Sequence, residues 1–443
     1  MTNVKIEFGN WKLGIGHWKL VMGPRQWGKY IMSNPSFTIS TFGCKVNQYE
    51  SQVLRERLLG SGYREDNDSP HLVIINSCAV TARAEAKTRK EIRRWLRQSH
   101  ESRLLLVGCG LTYSELRNQS FWGIVPEPRR GQLPENILRD SSWLTTFSAD
   151  HSRAFVKVQD GCESFCSYCI IPYLRGRSVS RSPDEIIREI SGLVRNGYRE
   201  IVLTGINMGR YGKDLSGYHI SLATLLERIL KLRGIFRVRL SSIEPKEITP
   251  PLIRLISKEV KVCPHLHIPL QSGSDNILRK MNRNYTSGEY IDIVGNIREA
   301  CPDISISTDC LIGFPGEEEE DFQASCRMVR EIGFSKVHIF PYSRRDGTAA
   351  SRYPEPDQKI IRRRTGILAM IAAEKACKFR ECFVGREVEV IIERKLCNGL
   401  YSGLDRHYNR VNFSGEGVAD GSICRVMITG IDESALKGEL SSD

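Results

Sequence analysis

Short apolar runs alternate along the chain with stretches in which apolar residues recur every three or four positions. The first apolar runs cover residues 37–42, 72–76 and 104–107, and the amphipathic stretches between them cover 47–59 and 83–97. Such periodicity predicts strands followed by helices. Strands that alternate with helices are typical of a parallel sheet, so we expect an α/β fold for the N-terminal part.

A second and longer series of the same kind begins near residue 154. Its predicted strands cover residues 154–158, 201–204, 236–240, 266–268, 304–309 and 337–340. The helices between them are predicted over 184–196, 222–232, 288–300 and 319–332, and residues 358–378 form a closing helix. Repeated strand–helix units of this kind predict a complete or partial α/β barrel.

After Cys382 the pattern changes to short β-type runs separated by turns that contain glycine. These runs cover residues 388–392, 400–402, 411–413 and 423–428 and predict a small β-barrel. The predicted organisation is an extension over 1–35, an N-terminal domain over 36–145, a barrel domain over 150–378 and a C-terminal domain over 380–443. Residues 126–150 are interpreted as a linker with one helical piece.

The first 35 residues lack a clear period and repeat Trp-Lys-Leu at 11–13 and 18–20. We expect a disordered extension or an upstream start codon, with Met32 as the true start. An arm that touches RNA or a membrane surface is the alternative interpretation.

Composition narrows the class of protein. The chain has 64 basic and 52 acidic residues, a net charge of +12, which favours a polyanionic partner over the plainer interpretation of a solvated basic face. No apolar run is long enough for a membrane span and no secretion signal opens the chain, so we expect a cytoplasmic protein. Its 14 cysteines are too sparse for a disulfide scaffold, and their clustering indicates metal or redox chemistry.

The densest cluster is Cys162, Cys166 and Cys169, directly after the first strand of the predicted barrel. Three thiolates suit a 4Fe-4S cluster because they leave one iron without a protein ligand. Structural zinc requires four ligands, and His151 is a poor fourth. Zinc or plain structural thiols remain the alternatives.

Three other cysteines each follow a predicted strand of the N-terminal sheet. They are Cys44, Cys78 and Cys109, separated by 34 and 31 residues. Because the carboxyl ends of parallel strands share one edge, we expect the three to converge there. The alternative is three small residues near a core.

The spacing of Cys162, Cys166 and Cys169 resembles the radical S-adenosylmethionine (SAM) superfamily. The order of domains, together with particular stretches, resembles its methylthiotransferase family over about residues 36–440. Those stretches are residues 43–50, 76–81, 108–109, 173–177, 267–274 and 342–348. The Gly-Leu-Thr that follows Cys109 departs from the family's usual Tyr-Ala-Gln.

The resemblance implies two 4Fe-4S clusters and SAM as cosubstrate. One cluster would lie on Cys162, Cys166 and Cys169, where SAM would chelate the open iron and be cleaved to a 5′-deoxyadenosyl radical, and the other on Cys44, Cys78 and Cys109. The implied SAM pocket comprises strand-end residues Thr204, Gly205, Asn207, Ser242, Glu244, Gln271 and Ser272. A flavodoxin or ferredoxin would supply electrons, and the sulfur source is left open.

The C-terminal domain resembles TRAM, a small RNA-binding barrel, and we expect a tRNA anticodon loop as the partner of a monomeric enzyme. Basic residues are expected to contact phosphates and three aromatic residues, Tyr401, Tyr408 and Phe413, to stack on bases. The basic set is Lys87, Arg89, Lys90, Arg93, Arg94, Arg97, Arg362, Arg363, Arg364, Arg386, Arg394, Lys395, Arg406, Arg410 and Arg425.

Residues 43–50 resemble the branch that adds a methylthio group at C2 of N6-threonylcarbamoyladenosine in tRNA. The isopentenyladenosine branch more often has Gln-Met-Asn after the first cysteine, and the branch that modifies a ribosomal-protein aspartate has Pro-Lys-Asn. Those two substrates remain alternatives. So do a non-catalytic iron–sulfur RNA-binding protein and a zinc-stabilised structural module.

Overall fold

The computed structural model describes residues 35–78, 80, 82–98, 102–109, 145, 152–217, 220–397, 399–432 and 434–441. The chain forms two compact units. The first contains the described residues within Met1–Trp143, Asp160–Glu163 and Ile171–Val179, and the second contains those within Leu144–Gln159, Ser164–Ile170 and Ser180–Asp443. The predicted extension and linker lie outside the described residues, except for positions 35 and 145.

The first unit contains a parallel sheet covered by helices on both faces. Its elements are β1 (Ser36–Thr41), α1 (Lys45–Gly60), β2 (Arg64–Glu65), β3 (Leu72–Ser77), α2 (Ala82–Gln98) and β4 (Arg103–Gly108), with strand order β2-β1-β3-β4. Every residue of β3 is buried, as expected for a central strand whose sequence is a continuous apolar run. Leu54 and Leu58 of α1 pack on one face, and Ile92 and Trp95 of α2 on the other.

The central part of the chain forms an open arc of parallel strands with helices between them. Its strands are β5 (Ala154–Asp160), β6 (Val179–Ser180), β7 (Glu200–Gly205), β8 (Arg237–Leu240), β9 (His265–His267), β10 (Ser305–Ile312) and β11 (Lys336–Pro341). Its helices are α3 (Ile171–Arg175), α4 (Pro183–Arg195), α5 (Leu222–Leu230), α6 (Pro250–Lys258), α7 (Asp275–Lys280), α8 (Ser287–Ala300), α9 (Glu319–Ile332) and α10 (Gln358–Glu381).

The described strands of this arc form two sheets, β6-β5-β7-β8 and β11-β10-β9. Parallel bridges from Val238 to Val262 and from Ser242 to His267 connect them. The predicted barrel is therefore partial. No helix in the described ranges is both long enough and apolar enough to cross a bilayer.

The C-terminal strands close into a small barrel, as the sequence predicts. They are β12 (Glu387–Lys395), β13 (Tyr401–Asp405), β14 (Arg410–Ser414), β15 (Ile423–Asp432) and β16 (Ala435–Leu440), in the order β12-β13-β14-β16-β15. The last strand escaped prediction because Lys437, Gly438 and Glu439 interrupt its apolar pattern.

The aromatic residues of this barrel are not available for base stacking, which corrects the expectation from the sequence. Phe413 is fully buried and its ring stacks on Tyr401 inside the barrel. Tyr408 instead lies over the guanidinium of Arg239, with 4.8 Å from the Arg239 Cζ atom to the ring centroid. These rings are used to fill the barrel and to attach it to the central strands.

Candidate active site

Three cysteines stand at one edge of the first unit's sheet. Cys78 and Cys109 follow β3 and β4 directly, Cys44 follows β1 after two residues, and β1, β3 and β4 are neighbours. The backbone N–H of Cys109 donates to the carbonyl of Ser77 over 3.0 Å, which places it beside Cys78. The sequence prediction that these residues share an edge is thus met by the geometry, and we call them the N-terminal cysteine set.

Glycines precede two cysteines of this set because the backbone has no room for a side chain there. Gly43 has a φ of +118°, and a Cβ at this position would lie 2.7 Å from the Cβ of Cys78. Gly108 has a φ of +91°, and its Cβ would lie 2.3 Å from Asn76 Oδ1. Both conditions restrict these positions to glycine.

We expect Gly108→Ala to destabilise the protein by ~2 kcal/mol or more, since it adds left-handed backbone strain to a steric clash. Gly60→Ala is the matched control, because a Cβ at Gly60 would meet no atom within 4 Å. Urea unfolding followed by circular dichroism compares the two. Equal midpoints for both variants would contradict the steric argument.

Two buried asparagines hold the N-terminal cysteine set in place. Asn47 Nδ2 donates to Asn76 Oδ1 over 3.0 Å and to the Ser77 carbonyl over 2.9 Å. Asn76 Nδ2 returns a 2.9 Å hydrogen bond to the Asn47 carbonyl. The Cys44 thiol donates to Asn47 Oδ1 over 3.4 Å. The start of α1 is thereby bonded to the end of β3.

Cys109 is buried, and its sulfur accepts a hydrogen bond from Arg175 Nε over 2.7 Å. Burial raises the pKa of the Cys109 thiol to about 12, and the positive charge of Arg175 offsets only part of that rise. A metal that binds this thiol must therefore displace its proton.

Cys162, Cys166 and Cys169, which we call the central cysteine set, lie on the segment that follows β5. The Cys162 N–H donates to the Gly176 carbonyl over 3.0 Å, and the Cys169 N–H donates to the Cys166 carbonyl over 2.9 Å. All three side chains are partly exposed. Backbone bonds thus fix the segment while the sulfurs stay accessible.

Arg283 donates to the sulfur of Cys166 through Nη1 over 3.2 Å. Its Nη2 also pairs with Glu244. The same stretch of chain supports the cysteine segment, since the Ser167 N–H donates to the Met281 carbonyl over 3.0 Å and Asn282 Nδ2 donates to the Phe165 carbonyl over 3.0 Å.

The donor chemistry of both cysteine sets fits an iron–sulfur cluster. In the described part of the chain, no three Cys, His, Asp or Glu side chains converge on a point that one metal ion could occupy. A cubane cluster requires less convergence, because each thiolate binds a different iron. Arginine N–H groups directed at Cys109 and Cys166 match the hydrogen bonds to sulfur that accompany such clusters.

Comparison with known proteins decides the family. Residues 156–329 match the Radical SAM superfamily, and residues 36–120 match a family described as Uncharacterized protein family UPF0004. Threonylcarbamoyladenosine tRNA methylthiotransferase MtaB of Chlamydia pneumoniae is 40% identical over 424 residues, covering 91% of this chain and 98% of the relative. The chain belongs to the radical SAM methylthiotransferase family.

Two further relatives are similar to this methylthiotransferase over most of its length. The MtaB protein of Thermotoga maritima is 36% identical, covering 88% of this chain and 93% of its own. The tRNA-2-methylthio-N(6)-dimethylallyladenosine synthase of Pelotomaculum thermopropionicum is 33% identical, covering 91% and 97%. The predicted family, fold class and cofactors, SAM and 4Fe-4S clusters, are confirmed.

The residues predicted to bind SAM lie at the carboxyl ends of the central strands of this methylthiotransferase. Thr204 and Gly205 end β7, and Ser242 and Glu244 follow β8. Gln271 follows β9 with a φ of +62°, and its N–H donates to the Asp309 carbonyl over 2.8 Å. Parallel strands place their ligands at this edge. The assignment of these residues to SAM stays a prediction.

Asn207 and Ser272 are two of the buried polar residues in that predicted pocket. The Asn207 N–H donates to Gln159 Oε1 over 2.8 Å. Its neighbour Glu247 is half-buried, and partial burial raises the pKa of Glu247 to about 7. Ser272 is buried, and its hydroxyl accepts from the Ser274 N–H over 3.2 Å at the start of α7.

Sequence reasoning missed the two arginines that contact cysteine sulfurs in this methylthiotransferase. Arg175 lies 66 residues from Cys109, and Arg283 lies 117 residues from Cys166. Arg175 belongs to the family-like stretch 173–177, for which the sequence alone indicates no role. Nothing in the sequence around Arg283 distinguishes it from a surface arginine.

Proposed function

We propose that this protein adds a methylthio group at C2 of N6-threonylcarbamoyladenosine beside the tRNA anticodon. The proposal is carried by one observation, the near full-length 40% identity to a relative named for that reaction. The N-terminal cysteine set and the central cysteine set support it, because the reaction requires two separate metal groups. Methylthiolation of the dimethylallyl nucleoside is the second candidate, favoured by the 33% identical relatives.

In this proposal the central cysteine set holds the cluster that binds SAM, and the N-terminal cysteine set holds a second cluster, which we call the auxiliary cluster. When bound, the clusters and SAM supply reductive cleavage of SAM and a site for sulfur. The protein holds the thiolates at two strand edges and directs Arg283 and Arg175 at one sulfur in each set. Thr204, Asn207, Glu244 and the other strand-end residues orient SAM.

A basic stripe on α2 is the surface that we assign to tRNA. Lys87, Lys90, Arg94 and Arg97 are exposed, and their spacing of three, four and three residues places them on one helical face. The opposite face is buried through Ile92 and Trp95. Lysine and arginine rows of this kind neutralise phosphates and release counterions.

We expect the pair Lys87→Glu and Lys90→Glu to weaken tRNA binding at least ~10-fold at low salt, because two attractions to phosphate become repulsions. The slope of log affinity against log salt should fall by about 1 for each phosphate that is no longer neutralised. Filter binding across a salt series gives both values. Arg254→Glu with Lys258→Glu, the same charge change on exposed positions of α6, should leave both unchanged. Equal weakening by the two pairs would contradict the assignment.

Mass spectrometry of tRNA nucleosides tests the function directly. Deletion of the gene should remove the 2-methylthio form of N6-threonylcarbamoyladenosine, and the wild-type gene should restore it. Loss of the methylthio-dimethylallyl nucleoside instead would make the second candidate correct. No change in either nucleoside would overturn both candidates and favour a non-catalytic RNA-binding protein or another substrate.

The proposal also includes the context in which the enzyme works. The enzyme acts on tRNA in the cytoplasm as a monomer, with a flavodoxin or ferredoxin as the electron donor. Reduction of a 4Fe-4S cluster requires a one-electron donor of low potential, which these small proteins provide. Deoxyadenosine formation with purified flavodoxin and its reductase, and size-exclusion chromatography, test the donor and the monomer separately.

A further inference from the structure

Arg175 has four partners, all in the first unit. Its Nε donates to Cys109 Sγ over 2.7 Å. Its Nη1 donates to Glu50 Oε1 over 2.8 Å and to Asp160 Oδ1 over 2.9 Å, and its Nη2 donates to Glu50 Oε2 over 3.0 Å. A longer 3.4 Å contact from Nη2 reaches Asn47 Oδ1. This one side chain therefore contacts α1, the residue after β4 and the end of β5.

The arrangement is not explained by charge neutralisation alone. Arg175, Glu50 and Asp160 are all buried, so the two carboxylates need a cation. The terminal nitrogens of Arg175 already satisfy both carboxylates. The remaining donor, Nε, is directed at the sulfur of Cys109, where a neutralising arginine would need no contact.

The same residue reaches the beginning of the central cysteine set. Asp160 lies two positions before Cys162, and the Cys162 N–H donates to the carbonyl of Gly176, the neighbour of Arg175. Gly161, between them, has a φ of +72°, and a Cβ there would lie 1.9 Å from the Arg177 carbonyl oxygen. The turn after α3 is thus fitted closely to the segment that carries Cys162.

We propose that Arg175 is a positioning residue that fixes the Cys109 sulfur by an N–H···S hydrogen bond and sets the charge beside the auxiliary cluster. The inference rests on the proposed function, because it takes Cys109 as a ligand of that cluster. Hydrogen bonds to cluster sulfurs and nearby positive charge stabilise the reduced cluster, and so raise its reduction potential. Nearby negative charge has the opposite effect.

Two substitutions should therefore shift the potential in opposite directions. Arg175→Met removes the donor and the cation, and should lower the midpoint potential of the auxiliary cluster. Glu50→Gln keeps the arginine but removes one of the two carboxylates that pair with it, and should raise the midpoint potential of the auxiliary cluster. Arg175→Lys retains the positive charge, so its midpoint potential should stay close to the wild-type value. A residue that merely supported the fold would not produce shifts of opposite sign.

The experiment uses full-length protein with Cys162, Cys166 and Cys169 all replaced by alanine, reconstituted anaerobically with iron and sulfide. Redox titration followed by electron paramagnetic resonance gives the midpoint potential of the remaining cluster. Arg177→Met is the matched control, because the Arg177 side chain is 92% exposed two residues away and should leave the potential unchanged.

The outcomes separate the two hypotheses. If the triple-alanine protein, which is the parent of these variants, binds no iron–sulfur cluster, the assignment of the N-terminal cysteine set is refuted. A parent that binds a cluster whose potential is the same in Arg175→Met and Glu50→Gln, or moves in one direction in both, would overturn the role of Arg175. If Arg175→Met fails to fold, Glu50→Gln still tests the proposal, because a potential that did not rise in that variant would overturn it.

Discussion

Cys166→Ala is expected to abolish SAM cleavage, with 5′-deoxyadenosine formation falling at least ~10³-fold, the scale of loss when a group that acts as a unit with others is removed. Cys166 is the middle residue of the central cysteine set and the one whose sulfur receives the Arg283 hydrogen bond. In the proposed assignment, its loss would leave the cluster that binds SAM with two of three protein ligands. Anaerobic incubation with dithionite and SAM, followed by chromatography of the products, measures the loss.

A control variant distinguishes the loss of a cluster ligand from a general loss of activity caused by replacing any cysteine. Cys377→Ala changes a half-exposed cysteine on α10 that belongs to neither cysteine set, and should retain full activity. Cys109→Ala should still form deoxyadenosine from SAM yet give no methylthio product. If Cys166→Ala cleaved SAM at the wild-type rate, the assignment of the central cysteine set would be wrong.

Local pattern was enough to predict most of the fold. The predicted helix over 319–332 matches α9 at both ends, and β1, β3 and β4 lie within a residue or two of their predicted bounds. These elements repeat one periodicity without interruption, so short-range sequence carries the information. α6 is harder to predict because its opening Pro250 and Pro251 suggest a turn, although proline is favoured in the first turn of a helix.

The candidate site likewise contains residues that the sequence predicts and residues that it does not. The cysteines could be found because spacing and strand ends are visible in a sequence. The arginines that contact their sulfurs could not, because those contacts depend on how distant segments pack. Tyr408 shows the opposite case, in which a visible sequence feature predicts the wrong role. As an aromatic residue of a basic domain it suggests base stacking, yet its ring packs against the guanidinium of Arg239.

One buried carboxylate orients side chains that join the barrel to the central strands. Glu200 accepts from Arg237 Nε over 2.7 Å and from Arg239 Nε over 2.8 Å, and it is fully buried. The same guanidiniums donate to the barrel carbonyls of Leu404 and Asp405, each over 2.9 Å. Glu200 thus orients the two arginines that attach β13 to β8.

Glu200→Gln is therefore expected to destabilise the second unit by about 3–5 kcal/mol at neutral pH, the usual cost of leaving buried partners of an ion pair without their counter-charge. Glu227→Gln, on an exposed position of α5, should change stability by less than about 0.5 kcal/mol. Urea unfolding followed by circular dichroism compares the variants.

The pH dependence of this stability difference is a sharper test of the same prediction than its size at neutral pH. Burial alone would raise the pKa of Glu200, but the guanidiniums of Arg239 and Arg237 overcome it and hold the pKa well below the usual 4.5. A carboxylate with a lowered folded-state pKa stabilises the protein fully above its unfolded-state pKa, and that stabilisation is lost as the pH falls toward the folded value. The stability difference between wild type and Glu200→Gln should therefore be constant near neutrality and shrink below about pH 4.5. A difference that stayed constant through that range would show that the charge of Glu200 does not stabilise the joint.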